Sequence, residues 1–277
     1  MPAEFMVDKA CCVRCGACVE DCVAGALAMT ADGPAMAAPD DCLSCQHCLA
    51  VCPRGAVSVL GRKPESAPAA AGLPTPEAFA RLARARRSVR VFLPEDVPQE
   101  TLRSLVETAW HAPTGVNAQG MHFSVVATQK AMDGVRRKVY ARLEEVLSRP
   151  GREPGPHDGD LRDLAADWRE KGNDIIFRGA PHMALACLGP QTLCREADAF
   201  IALSYLELAA AAAGVGALWC GFGMIALTVA DDPALLASLG VPPDYRLSYV
   251  MMLGRAKYAY PRGVDRGPAR AAYITAP

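Results

Sequence analysis

From residue 76 onward, apolar positions recur at helical spacing in some stretches and run together in others. The helical period predicts helices over 76–87, 97–112, 131–147, 161–172, 194–214 and 233–240. Pro98 sits near the start of the second helix, Pro113 stops it, and Pro150 ends the third. Continuous apolar runs predict strands over 121–128, 182–189 and 246–254, and 216–223 reads as a strand running into a turn. Residues 150–160, PGREPGPHDGD, read as a loop. Helices outnumber strands and do not alternate strictly with them, so the pattern points to an α+β arrangement more than a doubly wound sheet.

The most apolar stretch, around 197–220, is interrupted by Asp198, Glu207 and several glycines. It reads as a buried helix followed by a strand, not as a membrane span. The first 60 residues follow no such period; their pattern is one of cysteines. Between the two, GRKPESAPAAAGLPTP is rich in Pro, Ala and Gly and reads as a linker of moderate stiffness. The expected organisation is a small domain over 1–60, a linker over 61–76 and a larger domain over 77–277.

Nine of the twelve cysteines fall in the first 52 residues. CVRCGACVEDC at 12–22 and CLSCQHCLAVC at 42–52 share the spacing C-x2-C-x2-C-x3-C at a constant offset. The repeat continues past the cysteines, with VAGAL at 23–27 facing PRGAV at 53–57. Thiols clustered in this way point to metal rather than to a secreted disulfide scaffold. Three thiolates in a tight loop can wrap one face of a cubane iron–sulfur cluster, and the fourth is expected to begin a short helix leading away. Zinc ribbons also use CxxC pairs, but the third and fourth cysteines, repeated twice, fit them poorly.

Over roughly residues 5–60 the chain resembles bacterial two-[4Fe-4S] ferredoxins. In that pattern the fourth cysteine of each copy ligates the other cluster. One site is then expected from Cys12, Cys15, Cys18 and Cys52, the other from Cys42, Cys45, Cys48 and Cys22. Cys52 precedes Pro53, as the family pattern expects, whereas Cys22 precedes Val23. Cys11 is one thiol more than the pattern uses and is read as a bystander.

In the larger domain, ARRSVRVF at 85–92 concentrates Arg86, Arg87, Ser88 and Arg90, a set suited to clamping a phosphate. Alone it reads as a solvated basic helix end. APTGVNAQGMHFSVV at 112–126 adds a polar loop before a buried strand. Its Thr114, Asn117 and Gln119 offer donors and acceptors, and Gly115 permits close backbone approach. With GAPHMALACL, DAFIALSYLELAAAAAGVGALWCGF and LGVPPDYRLSYVMMLGRAKYAYPRGVDR following in order, residues 77–266 resemble the FMN-dependent nitroreductase family. The resemblance implies a three-layer α/β/α fold and an FMN bound at the interface of a homodimer. It implies that Arg86, Arg87, Ser88 and Arg90 hold the phosphate, completed by Arg262 or Arg266. Pro113, Thr114, Gly115, Asn117 and Gln119 would line the flavin ring and ribityl chain. Cys220 and Gly221 would lie at the flavin, with the Gly221 N–H near N5. Cys220 stands where many relatives carry an acidic residue.

Three rival signals are weaker. GFGMIA at 221–226 fits a dinucleotide fingerprint, but LTVADDP after it suggests a loop where that fingerprint needs a helix. His111 and His122 flank the presumed flavin loop and are read as packed or surface residues. Cys187, Cys194 and Cys220 are read as core residues, and no catalytic residue is assigned.

Charge narrows the partners. With 29 Lys and Arg against 30 Asp and Glu, the net charge is −1, and nucleic acid is not an expected partner. The N-terminus lacks a basic segment followed by an apolar one, so a cytoplasmic protein is expected. Clusters moving single electrons beside a flavin taking one or two make a converter. The expected activity is reduction of a nitroaromatic, quinone or activated alkene, with a ferredoxin, flavodoxin or NAD(P)H as redox donor. The alternatives are a cluster module that senses or docks, and a flavin-processing or reductive dehalogenation enzyme.

Overall fold

The structure is a computed structural model that describes residues 4–275. Two compact units emerge. One takes the chain up to Leu73 together with Val116–Ala118, and the other holds Pro74–Gly115 and the chain from Gln119 onward.

In the first unit, β1 (Phe5–Val7), α1 (Ala17–Glu20), β2 (Leu27–Thr30), β3 (Gly33–Met36), α2 (His47–Ala50) and β4 (Val57–Val59) follow in order. β1 pairs antiparallel with β4, and β2 with β3. The sequence repeat is also a backbone repeat. Arg14 and Ser44 both take φ 54°, Gly16 and Gln46 take 83° and 62°, and Gly25 and Gly55 take 65° and 58°. Left-handed residues alternating with right-handed ones turn successive N–H groups toward one concavity. Gly16 and Gln46 each open a helix that carries the third cysteine, Cys18 or Cys48. The expectation that the fourth cysteine begins this helix is therefore corrected: Cys22 and Cys52 follow it. Cys18, Leu27, Leu49, Val57 and Val59 form the small core.

The second unit contains α3 (Pro76–Ala85), α4 (Gln99–Trp110), β5 (Met121–Val126), α5 (Gln129–Leu147), α6 (Asp158–Lys171), β6 (His182–Leu188), α7 (Arg195–Ala212), β7 (Gly216–Trp219), α8 (Gly221–Ala230), α9 (Pro233–Ser238) and β8 (Arg246–Gly254). Side-chain caps set several starts: Thr75 accepts from Ala78 N–H, Thr128 from Ala131 and Asp232 from Leu235. The strands form one antiparallel sheet in the order β5-β6-β8-β7. β6 is buried along its whole length. Its Met183, Leu185 and Cys187 face α5, α6 and α8, while Ala184, Ala186 and Leu188 face α4 and α7. The small side chains on that second face let the alanine-rich α7 pack close to the sheet. The result is three layers, α/β/α.

Three sequence expectations change. Residues 221–230 are helix, not a turn followed by a loop. GFGMIA does open a helix after a strand, but β7 and β8 run antiparallel, and a βαβ unit needs parallel strands. The 150–160 loop ends early, because α6 begins at Asp158. The helix expected to be buried throughout is buried on one face only: Phe200, Ile201 and Tyr205 on α7 are exposed.

Candidate active site

The first unit gathers its cysteines around two cavities. One is lined by Cys12, Cys15, Cys18 and Cys52, the other by Cys22, Cys42, Cys45 and Cys48. The remaining walls are mostly apolar, including Val57 beside the first and Leu27, Met36 and Val59 beside the second. A cubane needs four sulfurs spaced round its corners and a dry shell, and the donor set fits it. A single zinc would need them converging to about 2.3 Å from one point. Among the described residues, no three His, Cys, Asp or Glu side chains converge on a single ion. Ala56 donates its N–H to Cys52 Sγ at 3.2 Å, a bond that favours the thiolate. Burial pushes the Cys48 thiol up to about 11, so ligation must displace a proton there. Cys11 stays outside both cavities, and its thiol bonds the Asp8 carboxylate. Asn117 Nδ2 donates to the Leu43 carbonyl at 2.9 Å.

In the second unit, Arg86 caps the end of α3, and the next residues are pinned to β7. Ser88 bridges to Ala217, and Val89 N–H donates to the Ala217 carbonyl at 2.9 Å. This places Arg84, Arg86 and Arg87 on one wall of an open groove of about 730 Å³, opposite Gly263–Gly267 with Arg266 among them. A smaller adjoining cavity shares Arg86 and Arg87 and adds Glu207, Gly214, Gly216 and Tyr260. Of the predicted phosphate residues, the groove thus unites Arg86, Arg87 and Arg266. Ser88, Arg90 and Arg262 do not line it.

Arg86 is already engaged. Its Nη1 lies 2.8 Å from Glu207 Oε1 on α7, with both side chains largely buried. Arg87 folds back to donate to the Arg84 carbonyl at 2.7 Å. Sequence reading missed Glu207. Its signal was there, as one of two acidic residues interrupting the apolar stretch 197–220.

The loop predicted for the flavin ring leaves α4 and turns through left-handed residues at Val116, Asn117 and Gln119, with φ 47°, 55° and 47°. Such backbone costs roughly 1–2 kcal/mol per residue outside glycine, so contacts must hold it. Thr114 Oγ1 accepts the Gln119 N–H at 3.0 Å. Both residues line a small apolar recess with Trp110, Met121 and Phe123. Gly115 lies against Cys194, where a Cβ would come 2.5 Å from Sγ. Pro113 is exposed just before it.

At the end of β7, the buried Cys220 caps α8. Its thiol donates to the Ile176 carbonyl at 3.1 Å and accepts from Gly223 N–H at 3.3 Å. Burial pushes this thiol up to about 11, so it stays protonated. Gly221 follows as the first residue of α8, where backbone N–H groups lack intrahelical partners. The Tyr249 hydroxyl lies 3.7 Å from where a Cβ on Gly221 would stand. Its ring packs against Trp219 and Phe200. Cys187 is fully buried, but Cys194 is exposed and not the core residue expected. His122 packs on Tyr245 and bonds the Gly240 carbonyl, while His111 is exposed.

Residues 83–255, more than half of the chain, match the model of the nitroreductase family. The chain belongs to the nitroreductase family. Residues 11–57 match the 4Fe-4S dicluster domain, so this family member carries such a domain ahead of its nitroreductase fold. It is 33% identical over 161 residues to nitroreductase NfnB of Mycolicibacterium smegmatis, covering 50% of this chain and 68% of that one. An iodotyrosine deiodinase of Thermotoga neapolitana is 27% identical over 184 residues, covering 65% of this chain and 91% of that one. A Bacteroides fragilis nitroreductase crystallised with bound FMN superimposes with a TM-score of 0.56 at 21% identity. That match covers 72% of this chain and 98% of the other and speaks to fold alone. Among the described residues, no helix is long and apolar enough to cross a membrane.

Proposed function

We propose that this nitroreductase-family protein binds FMN and two [4Fe-4S] clusters. The clusters relay electrons to or from FMN, and the protein reduces a small organic acceptor such as a nitroaromatic, quinone or activated alkene. The observation that carries the reading is the joining, in one chain, of a dicluster domain to a nitroreductase fold whose groove gathers Arg86, Arg87 and Arg266. FMN, when bound, supplies exchange of one or two electrons.

The chain's own residues have distinct tasks. Arg87 and Arg266 hold the phosphate through charge-assisted bonds, and Arg86 is held in place by Glu207. Thr114 and Gln119 border the ring and ribityl chain. Asn117 belongs to the same loop, and Pro113 stiffens its entry. The Gly221 N–H, free of intrahelical demands, donates at the reactive edge, while Cys220 fixes that turn. Ser88 serves the site through its bridge to Ala217, and Arg90 lies outside the groove. Arg262 is the weaker of the two C-terminal candidates, because only Arg266 lines the groove. The exposed Phe200, Ile201 and Tyr205 on α7 support a homodimer. A ferredoxin, flavodoxin or NAD(P)H acts as external donor. The first test is iron, acid-labile sulfide and FMN per chain after anaerobic purification, with about eight irons and one FMN expected. Iron without flavin would overturn the flavoenzyme reading.

The likeness to iodotyrosine deiodinase favours a second reading, reductive dehalogenation of an aromatic substrate. Halide release from a halophenol under reducing conditions, without reduction of nitroaromatics, would select it.

A further inference from the structure

Asp198 stands in the first turn of α7, where an acidic residue is ordinarily a solvated partner of the helix dipole. Here it is 2% exposed. Its Oδ1 accepts the Gly115 N–H at 3.1 Å. Its Oδ2 is buried with no donor among the described residues. A buried carboxylate with one oxygen unmatched is costly, and sites that keep such a group are those where it does something else.

What it touches is the loop of the candidate flavin site. Gly115 opens the left-handed turn 115–117. On its other side Gly115 lies against Cys194, four residues before Asp198 and at the N-cap of the same helix. Just beyond the loop, the Gly120 carbonyl accepts from Gly189 N–H and from Thr192 Oγ1, both at 2.8 Å. The segment leading into α7 and the first turn of α7 thus grip the loop at both ends. α7 reaches the phosphate groove as well, through Glu207. Nine residues separate the two carboxylates, about 14 Å along the helix axis.

We propose that Asp198 is a positioning residue for the flavin. By clamping the Gly115 N–H it fixes the loop that carries Thr114, Asn117 and Gln119 at the height the ring requires. α7 thereby sets the distance between ring loop and phosphate groove with two carboxylates on one rigid element. This inference rests on the FMN reading for its ligand, but the clamp itself is a property of the chain.

The test uses the full-length protein, with and without added FMN. The readouts are amide hydrogen exchange over residues 112–120 and the FMN dissociation constant. Asp198→Ala is expected to speed exchange in that loop at least tenfold and to weaken FMN binding at least tenfold, leaving exchange in β6 unchanged. Asp198→Asn keeps an acceptor for Gly115 and is expected within about threefold of the unaltered protein on both readouts. Unchanged loop exchange in Asp198→Ala, or an Asp198→Asn variant as impaired as the alanine one, would overturn the proposal. If the unaltered chain binds no FMN while Asp198→Ala still loosens the loop, the clamp stands and the flavin reading falls. If FMN binds and Asp198→Ala alters neither readout, the reverse holds. Should Asp198→Ala not fold, Gly115→Ala approaches the same contact from the other side. Its Cβ would meet Cys194 Sγ, so it should weaken FMN binding, and adding Cys194→Ala should recover part of the loss. No loss in Gly115→Ala would count against the clamp.

Discussion

The cluster unit and the flavin-type site of this chain are assembled by opposite means. Each cluster cavity draws three cysteines from one seven-residue loop and only the fourth from the other copy. The proposed flavin-type site would draw on residues 84–87 and 263–267 of the groove, on Thr114 and Gln119 of a separate recess, and on 220–221 at the start of α8. In the first, local backbone conformation aims the ligands. In the second, distant segments are held in register by the sheet and by single carboxylates on α7. The difference teaches where each region is fragile: the cluster unit fails when a ligand is lost, the other when a support is lost.

The sharpest break is at a ligand. Cys45→Ser should cut iron from about eight to about four per chain while leaving FMN bound. Metal and flavin analysis checks it, and loss of FMN as well would dissolve the contrast. If the relay operates, the same variant should also lose FMN reduction by a low-potential ferredoxin-type donor.

Next in size is a support. Asp174 pairs with the buried Arg136, accepts from Tyr140 OH at 3.0 Å and accepts the N–H groups of Phe177 and Gly179. Arg136 also bonds the Ala180 carbonyl. Asp174→Ala would take one of two carboxylates from the guanidinium, leaving Asp133, and would unpair the Tyr140 hydroxyl, at a cost of about 2–3 kcal/mol. Urea unfolding followed by tryptophan fluorescence should show it, with iron content unchanged at low denaturant.

A smaller effect is expected within the groove. Arg266→Ala should raise the FMN dissociation constant about tenfold, the equivalent of about 1.4 kcal/mol. Arg262→Ala should do less, and equilibrium titration would rank the two.

Acid should weaken the second unit through His182. This ring is fully buried, and Val97 donates its N–H to Nε2 at 2.8 Å. Burial lowers its pKa from 6.5, with Asp96 opposing in part. The unfolded chain therefore binds a proton that the folded chain resists. The stability this neutral ring contributes is full above pH 6.5 and falls as pH drops below it, by at most about 1.4 kcal/mol per unit. His182→Gln should flatten that limb of the stability profile.

The smallest effect concerns the place where the two cysteine repeats differ. Val23→Pro would remove the bond from Val23 N–H to the Asp21 carbonyl, 3.1 Å long in an exposed turn. A change of no more than about 1 kcal/mol is expected, with iron content retained. Loss of iron would show that the turn after Cys22 matters as much as the loop before it.

Much of this was legible in the residues alone. The thirty-residue repeat, the strand over 246–254 and the apolar strand near 182 follow from spacing and period, which act over a few residues. Cysteine spacing sets the short helices of the first unit too late, because Gly16 and Gln46 break the backbone before the third cysteine, a turn that spacing does not reveal. Residues 221–230 read locally as a loop because Gly221, Gly223, Thr228 and Val229 are weak helix formers, and burial of Ala226, Leu227 and Ala230 outweighs that propensity.

The sequence by itself determined the cluster chemistry, since ligands three residues apart are near neighbours in any compact loop. It determined the two-part plan and the arginine-rich segment as well. Only the tertiary structure decided that Arg86 pairs with Glu207, that Asp198 takes the Gly115 N–H, and that Arg266 rather than Arg262 closes the groove. Those contacts join residues many positions apart, and no local period records which face of a packed helix will meet which loop.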